Sequence, residues 1–181
     1  MNKETYNHVL IVRTDRIGDV VLTLPMIPVL RAHAPSCRIA MLVRPYTSEL
    51  IAGTTGLDRI ILYDEREAHK DFRRLLGEIR EQRFDLVVVS HPKFRIALLL
   101  YLAGIPKRIG SGYRWYSFLF NRRVFEHRKT AEKHEAEYNI SLLRAVGIEA
   151  QGVPNVSLSI PAAARAKAVG NSYSSSLRSP R

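Results

Sequence analysis

Apolar positions in this chain fall into short continuous runs separated by segments of helical period. Val9 to Thr14 opens with four apolar β-formers in a row, Val9, Leu10, Ile11 and Val12, which predicts a strand covered on both faces. Asp19 to Ala34 has helical character, and Pro25 with Pro28 forces a kink or a split in it. Arg38 to Val43 predicts a second strand, Pro45 to Gly53 a short helix and Arg59 to Tyr63 a third strand. Asp71 to Gln82 places Phe72, Leu75, Leu76 and Ile79 on one face of an amphipathic helix. Leu86 to Ser90 is again almost wholly apolar and predicts a strand, Ile96 to Ala103 a helix and Arg108 to Gly110 a short strand. A helix from about Lys133 to Val146 groups Ala136, Ile140 and Leu143 and stops at Gly147, a C′ glycine. Val156 to Ile160 predicts a last strand. Strands alternating with helices imply an α/β fold, a Rossmann-like doubly wound parallel sheet.

The turn after the first strand carries the candidate chemistry. Arg13-Thr14-Asp15-Arg16 leads to Ile17, the single glycine Gly18 and the carboxylate Asp19. The glycine spacing of a dinucleotide fingerprint is absent, as is a Walker loop, and an acid beside the amides at a helix start would repel phosphate. Two readings of the acids are open. Asp15 or Asp19 caps the helix and stabilises the positive end of its dipole, or Asp19, at the carboxyl edge where open α/β sheets collect ligands, takes a proton.

Composition bounds the rest. The 181 residues are 46% hydrophobic and 25% charged, enough for one good core, and residues 1–161 read as one domain. Residues 162–181 read as a linker and disordered tail, with five serines in the last eleven positions. The formal charge is +11, with the excess after Ser90: Lys93, Arg95, Lys107, Arg108, Arg114, Arg122, Arg123, Arg128, Lys129 and Lys133. That clustering points to a polyanionic partner. Lys93 and Arg95 follow the strand ending at Ser90, which places them at the same sheet edge as Asp19. Cys37 is the single cysteine and reads as a core hydrophobe. His134-Glu135 lacks the second histidine of H-E-x-x-H, and no Asp-x-Asp occurs, so no metal is expected. No segment is apolar for long enough to cross a bilayer, and a soluble cytoplasmic protein is expected. Tyr113 to Arg123 interleaves aromatics with arginine, as a single-strand nucleic-acid platform does, but no RNA-binding motif accompanies it. No specific nucleic-acid partner is expected, and aromatics at this density read as core beneath a loop.

Three ordered blocks carry a family resemblance. RTDRIGDVVLTLPMIPVLRAHAP (from Arg13), FDLVVVSHPKFRIALLLYLAGIPKRIGSGYR (from Phe84) and KHEAEYNISLLRAVGI (Lys133 to Ile148) together resemble glycosyltransferase family 9, the lipopolysaccharide heptosyltransferase family. The resemblance implies the amino-terminal, acceptor-binding lobe of a GT-B type inverting enzyme. In such an enzyme a hydroxyl of the lipopolysaccharide core attacks the anomeric carbon of ADP-heptose. It implies Asp19 as the catalytic base, with Asp15 as a fallback or an organiser of the turn. Thr14, Gly18 and Thr23 would shape the loop and helix mouth of the substrate site. Lys93 and Arg95 would hold acceptor phosphate or carboxylate groups, with Arg114, Arg122 and Arg123 as further contacts, and His134 would belong to the helix start. No cofactor is implied. The nucleotide sugar would bind a carboxyl-terminal domain expected to be absent here, which makes a truncated, inactive form or a non-catalytic acceptor-binding remnant the expectation. Peripheral contact with the cytoplasmic face of the inner membrane, where the lipid A acceptor lies, completes the picture.

Overall fold

A computed structural model of the chain describes residues 5–66, 68–125 and 134–156. Six parallel strands form one sheet in the order β3-β2-β1-β4-β5-β6: β1 (His8–Val12), β2 (Arg38–Val43), β3 (Arg59–Leu62), β4 (Leu86–Val89), β5 (Lys107–Ser111) and β6 (Arg122–Val124). β1 is central, with Val9 opposite Ile39 on one side and Leu86 on the other. Chain order reverses between β1 and β4, which opens a crevice at their carboxyl ends, the usual ligand site of such sheets.

Every residue of β1 and β4 is buried because helices cover both faces. Val9, Ile11, Met41 and Val88 pack under α1 (Ile17–Val21), α2 (Met26–His33) and α6 (Glu135–Ser141). Leu10, Val12, Leu42 and Val89 pack on the other face, under α4 (Ala68–Gln82) and α5 (Phe94–Leu102). The strict alternation along β1 is the two-residue period of extended backbone. α3 (Pro45–Ile51) begins on Pro45, where a missing N–H is harmless. Cys37 is a buried free thiol, and burial raises its pKa.

The long helix expected from Asp19 to Ala34 is two helices, with Pro25 as the N-cap of α2 and Pro28 in its first turn. The expected helix from Lys133 is α6 followed by a 3₁₀ stretch, Leu142–Val146, which ends on Gly147 at φ 74°, a left-handed position that favours glycine. Lys133 lies outside the described residues, as do residues 157–160 of the expected last strand and the 162–181 tail. β6 was not expected. Its first two residues, Arg122 and Arg123, are exposed, as suits a short edge strand that charge protects from further pairing. Between β5 and β6, a 3₁₀ turn at Ser117–Leu119 seats the Phe120 ring where a Cβ on Gly110 would stand, 2.7 Å away.

Candidate active site

At the carboxyl end of β1 the chain places a cation where the apolar pattern would continue. Arg13 is 3% exposed. Its Nε donates to Asp15 Oδ1 at 2.7 Å, Nη2 pairs with Asp19 Oδ1 at 3.1 Å, and Nη1 pairs with Glu135 Oε1 at 3.1 Å and donates to Asn139 Oδ1 at 3.2 Å. A buried guanidinium is tolerable only when its charge and donors are matched. Three carboxylates meet that need, and the same contacts fix where those carboxylates stand.

Asp19 lies in the first turn of α1, whose N-cap is Arg16 with no side-chain cap. Neither Asp15 nor Asp19 therefore caps this helix. The Asp19 side chain is 32% exposed, Oδ1 is tied to Arg13, and among the described residues no other group makes polar contact with this carboxylate. Behind it, Thr23 Oγ1 donates to the Asp19 carbonyl at 2.8 Å. Asn139 Nδ2 donates to the Leu22 carbonyl at 3.0 Å and to Thr23 Oγ1 at 3.3 Å. Thr14 and Thr23 are wholly buried, so they shape the turn from within, and Thr14 Oγ1 makes no hydrogen bond among the described residues. Gly18 is exposed, and a Cβ built on it would meet nothing within 4 Å. Packing does not demand a glycine beside Asp19.

The neighbouring strand ends supply more charge. Tyr46 donates from its hydroxyl to the Asp15 carbonyl at 2.5 Å, and His91 Nδ1 lies 3.6 Å from Asp15 Oδ2. Burial pushes His91 below its ordinary pKa, against the pull of Asp15. Lys93 Nζ donates to Glu65 Oε1 at 2.7 Å, and Glu65 also pairs with Arg44. Partial burial, then repulsion from Arg44, lowers the Lys93 pKa. A cleft of about 480 Å³ opens at this edge, lined by Arg44, Pro45, Tyr46, Asp64, Glu65 and Arg66. Arg114 is exposed and close enough to His91 to disfavour its protonation.

Not every expected cation joins this group. Arg95 sits two residues beyond Lys93 at the start of α5, about 200° around the helix, and its guanidinium lies 5.6 Å from the Phe72 ring centroid. There it lines a small pocket with Leu62, Tyr63, Asp64, Leu75 and Leu99, on the α4 side of the sheet and away from the α1 side that holds Asp19. Arg122 and Arg123 are on β6, three strands from β1, roughly 14 Å at the usual interstrand spacing. His134 caps α6 in a reciprocal capping box with Glu137, the structural role expected of it.

Sequence reasoning overlooked Arg13, Tyr46, Arg44, Glu65, His91, Glu135 and Asn139. One local signal was readable: an arginine directly continuing a strand buried on both faces needs a counter-charge. Among the described residues no group of His, Cys, Asp and Glu could hold a metal ion, and no helix is long and apolar enough to cross a membrane.

Comparison with known proteins bears on this arrangement. Residues 72–173, more than half of the chain, match the family model described as glycosyltransferase family 9 (heptosyltransferase). A Haemophilus influenzae protein named as a glycosyltransferase is 32% identical over 136 residues, which are 75% of this chain and 39% of that protein. A glycosyl transferase family 9 structure from Veillonella parvula superposes with a TM-score of 0.80 at 21% identity, covering 96% of this chain and 50% of that one. The structure of ADP-heptose lipopolysaccharide heptosyltransferase II from Escherichia coli gives 0.73 at 21% identity, covering 92% and 50%. The chain thus spans well under half of this curated relative and about half of each solved chain.

Proposed function

The chain belongs to glycosyltransferase family 9, and from that premise we propose that it supplies the base-carrying, acceptor-binding half of an inverting heptosyltransferase. The carrying observation is the Asp19 carboxylate, at the carboxyl edge of the central strand, with Oδ1 tied to Arg13 and no other described residue in polar contact with it. A side chain so held presents one lone-pair edge in a fixed direction, which is what proton abstraction from an incoming hydroxyl requires.

In the proposed reaction the acceptor hydroxyl gives its proton to Asp19 Oδ2 as its oxygen bonds to the anomeric carbon of the donor. The bond from that carbon to the diphosphate breaks on the opposite face and ADP departs with the electron pair, inverting the configuration. ADP-heptose as donor and lipopolysaccharide as acceptor are the readings favoured by the name of the E. coli relative, and the inner core is the part of it that the family resemblance implies. The adenine, ribose and diphosphate contacts fall to the family's second lobe. Lys93 and Arg114, with Arg44 beside the cleft, offer the positive field that acceptor phosphate or carboxylate groups need. Gly18 leaves room for that acceptor beside the base. The protein would work at the cytoplasmic face of the inner membrane, where such an acceptor is presented.

The test is Asp19→Asn against Asp15→Asn in a chain that carries both lobes. Asp19→Asn is expected to lower kcat by about 10²- to 10⁴-fold with the melting temperature nearly unchanged, since a partly exposed ion pair contributes at most about 1 kcal/mol. Asp15→Asn, which loosens the turn without removing the base, is expected to cost far less activity. Transfer by Asp19→Asn at more than a tenth of the parent rate would remove Asp19 from the role.

A further inference from the structure

The segment after β5 holds a surface that the proposed transfer does not use. Trp115 is 74% exposed and Phe118 65% exposed, although both lie in a well-packed turn. Hydrogen bonds from Ser117 to Arg114, Leu119 to Tyr116 and Phe120 to Ser117 give the backbone a 3₁₀ winding, in which positions three apart share a side. Tyr116 and Leu119 accordingly turn inward and are buried, Phe120 follows in extended backbone and is buried as well, while Trp115 and Phe118 turn out. Trp115 stacks on Phe94 at 4.9 Å between ring centroids, and Phe94 is itself exposed. Tyr116 anchors the turn by donating to the Pro92 carbonyl at 2.7 Å, in the loop that carries His91 and Lys93. Arg114 is the exposed residue immediately before Trp115.

We propose that Trp115, Phe118 and Phe94 form a membrane-docking surface that inserts into the interfacial zone of an anionic phospholipid bilayer, with the exposed Arg114 at its edge. This rests on the acceptor-site reading above, since it would hold the Asp19 rim at the surface where a lipid-anchored acceptor lies. Large aromatics with basic neighbours suit a bilayer interface, and the formal charge of +11 complements anionic lipid. A single-strand nucleic-acid platform fits less well. One face of the Trp115 ring is already taken by Phe94, and no nucleic-acid-binding motif accompanies these aromatics.

Trp115 is the sole tryptophan, so its fluorescence reports on this surface alone. The full chain would be titrated with vesicles of phosphatidylglycerol and phosphatidylethanolamine, free of any sugar acceptor, and with phosphatidylcholine vesicles as the neutral comparison. Expected are a blue shift and loss of acrylamide quenching with the anionic vesicles, weaker binding to the neutral ones, and partition reduced about tenfold or more in Trp115→Ala/Phe118→Ser, followed by flotation. No shift on anionic vesicles overturns the proposal, as does flotation unchanged in the double variant, which would mean that charge alone binds. Trp115 already shielded from acrylamide before vesicles are added would show protein covering the surface. Quenching by a single-stranded RNA oligonucleotide without a vesicle response would assign it to nucleic acid. Asp19→Asn is expected to float like the parent, so failure of docking and failure of the proposed base are read separately.

Discussion

Replacing Arg13 with methionine keeps most of the side chain's length and removes its charge, so the variant isolates the electrostatic task of the guanidinium. Asp15, Asp19 and Glu135 then lose the guanidinium they share, and Asn139 Oδ1 loses its donor. Breaking a fully buried ion pair costs about 3–5 kcal/mol. Here the three carboxyl side chains keep 16%, 32% and 28% exposure, water recovers part of their solvation, and a loss of about 2–3 kcal/mol is expected. For a chain of this size that corresponds to a fall in Tm of about 4–12 °C, measured by thermal and urea unfolding at neutral pH. The loss has a second signature. Adding Glu135→Gln to the methionine variant removes one of the charges that faced Arg13, so the pair should cost less than the sum of the single changes. A Tm within about 2 °C of the parent, or costs that simply add, would show that the carboxylates do not depend on Arg13 and would refute this account of the turn.

Gly18→Ala should leave the fold intact or stabilise it by up to about 0.5–1 kcal/mol, because an added methyl meets no neighbour. In a two-lobe chain it should raise the acceptor KM, and an unchanged KM would mean that the acceptor does not use the space beside Asp19. The pH dependence of stability should carry the mark of His8. Burial, aided by Arg38, holds its pKa below the ordinary 6.5, so the unfolded chain binds the proton more readily. The stability due to neutral His8 is then complete above pH 6.5 and is lost as the pH falls from there through the depressed native value. His8→Phe should flatten that slope in urea unfolding between pH 7.5 and 5.5, and an unaltered slope would exclude the residue.

Much of the sheet was legible because parallel strands buried on both faces must be apolar at consecutive positions, and helices could be read between them. Arg38 to Val43 matches β2 to the residue. The split of the first helix was legible too, since a proline within a helix breaks it wherever the chain runs. Elements that depend on distant partners were not. β6 is three residues long with two arginines, and it is a strand only because β5 is already there to pair with it. The aromatic turn was read as core beneath a loop, which holds for Tyr116, Leu119 and Phe120 and fails for Trp115 and Phe118, because composition does not tell which side of a 3₁₀ turn faces out. Lys93 and Arg95 looked equivalent in the sequence. The helix beginning between them sends Arg95 toward Phe72 instead.

The same distinction between local and distant partners explains why the third sequence block matters to the first. Asp19 can be read as a candidate base from its neighbours along the chain, but its direction is set by residues more than a hundred positions later. Glu135 and Asn139 reach Arg13 across sequence separations of 122 and 126, and Asn139 also grips the far end of α1 through Leu22 and Thr23. α6 is delivered to that place by structural means: the His134 capping box starts it, and Leu142 and Leu143 bury beside Ile140 in the core. The helix carrying H-x-x-x-x-N is therefore a brace for the turn that carries Asp19. It acts on the candidate chemistry by fixing Arg13, and it follows that damage to this helix should weaken Asp19 function and the stability of α1 together.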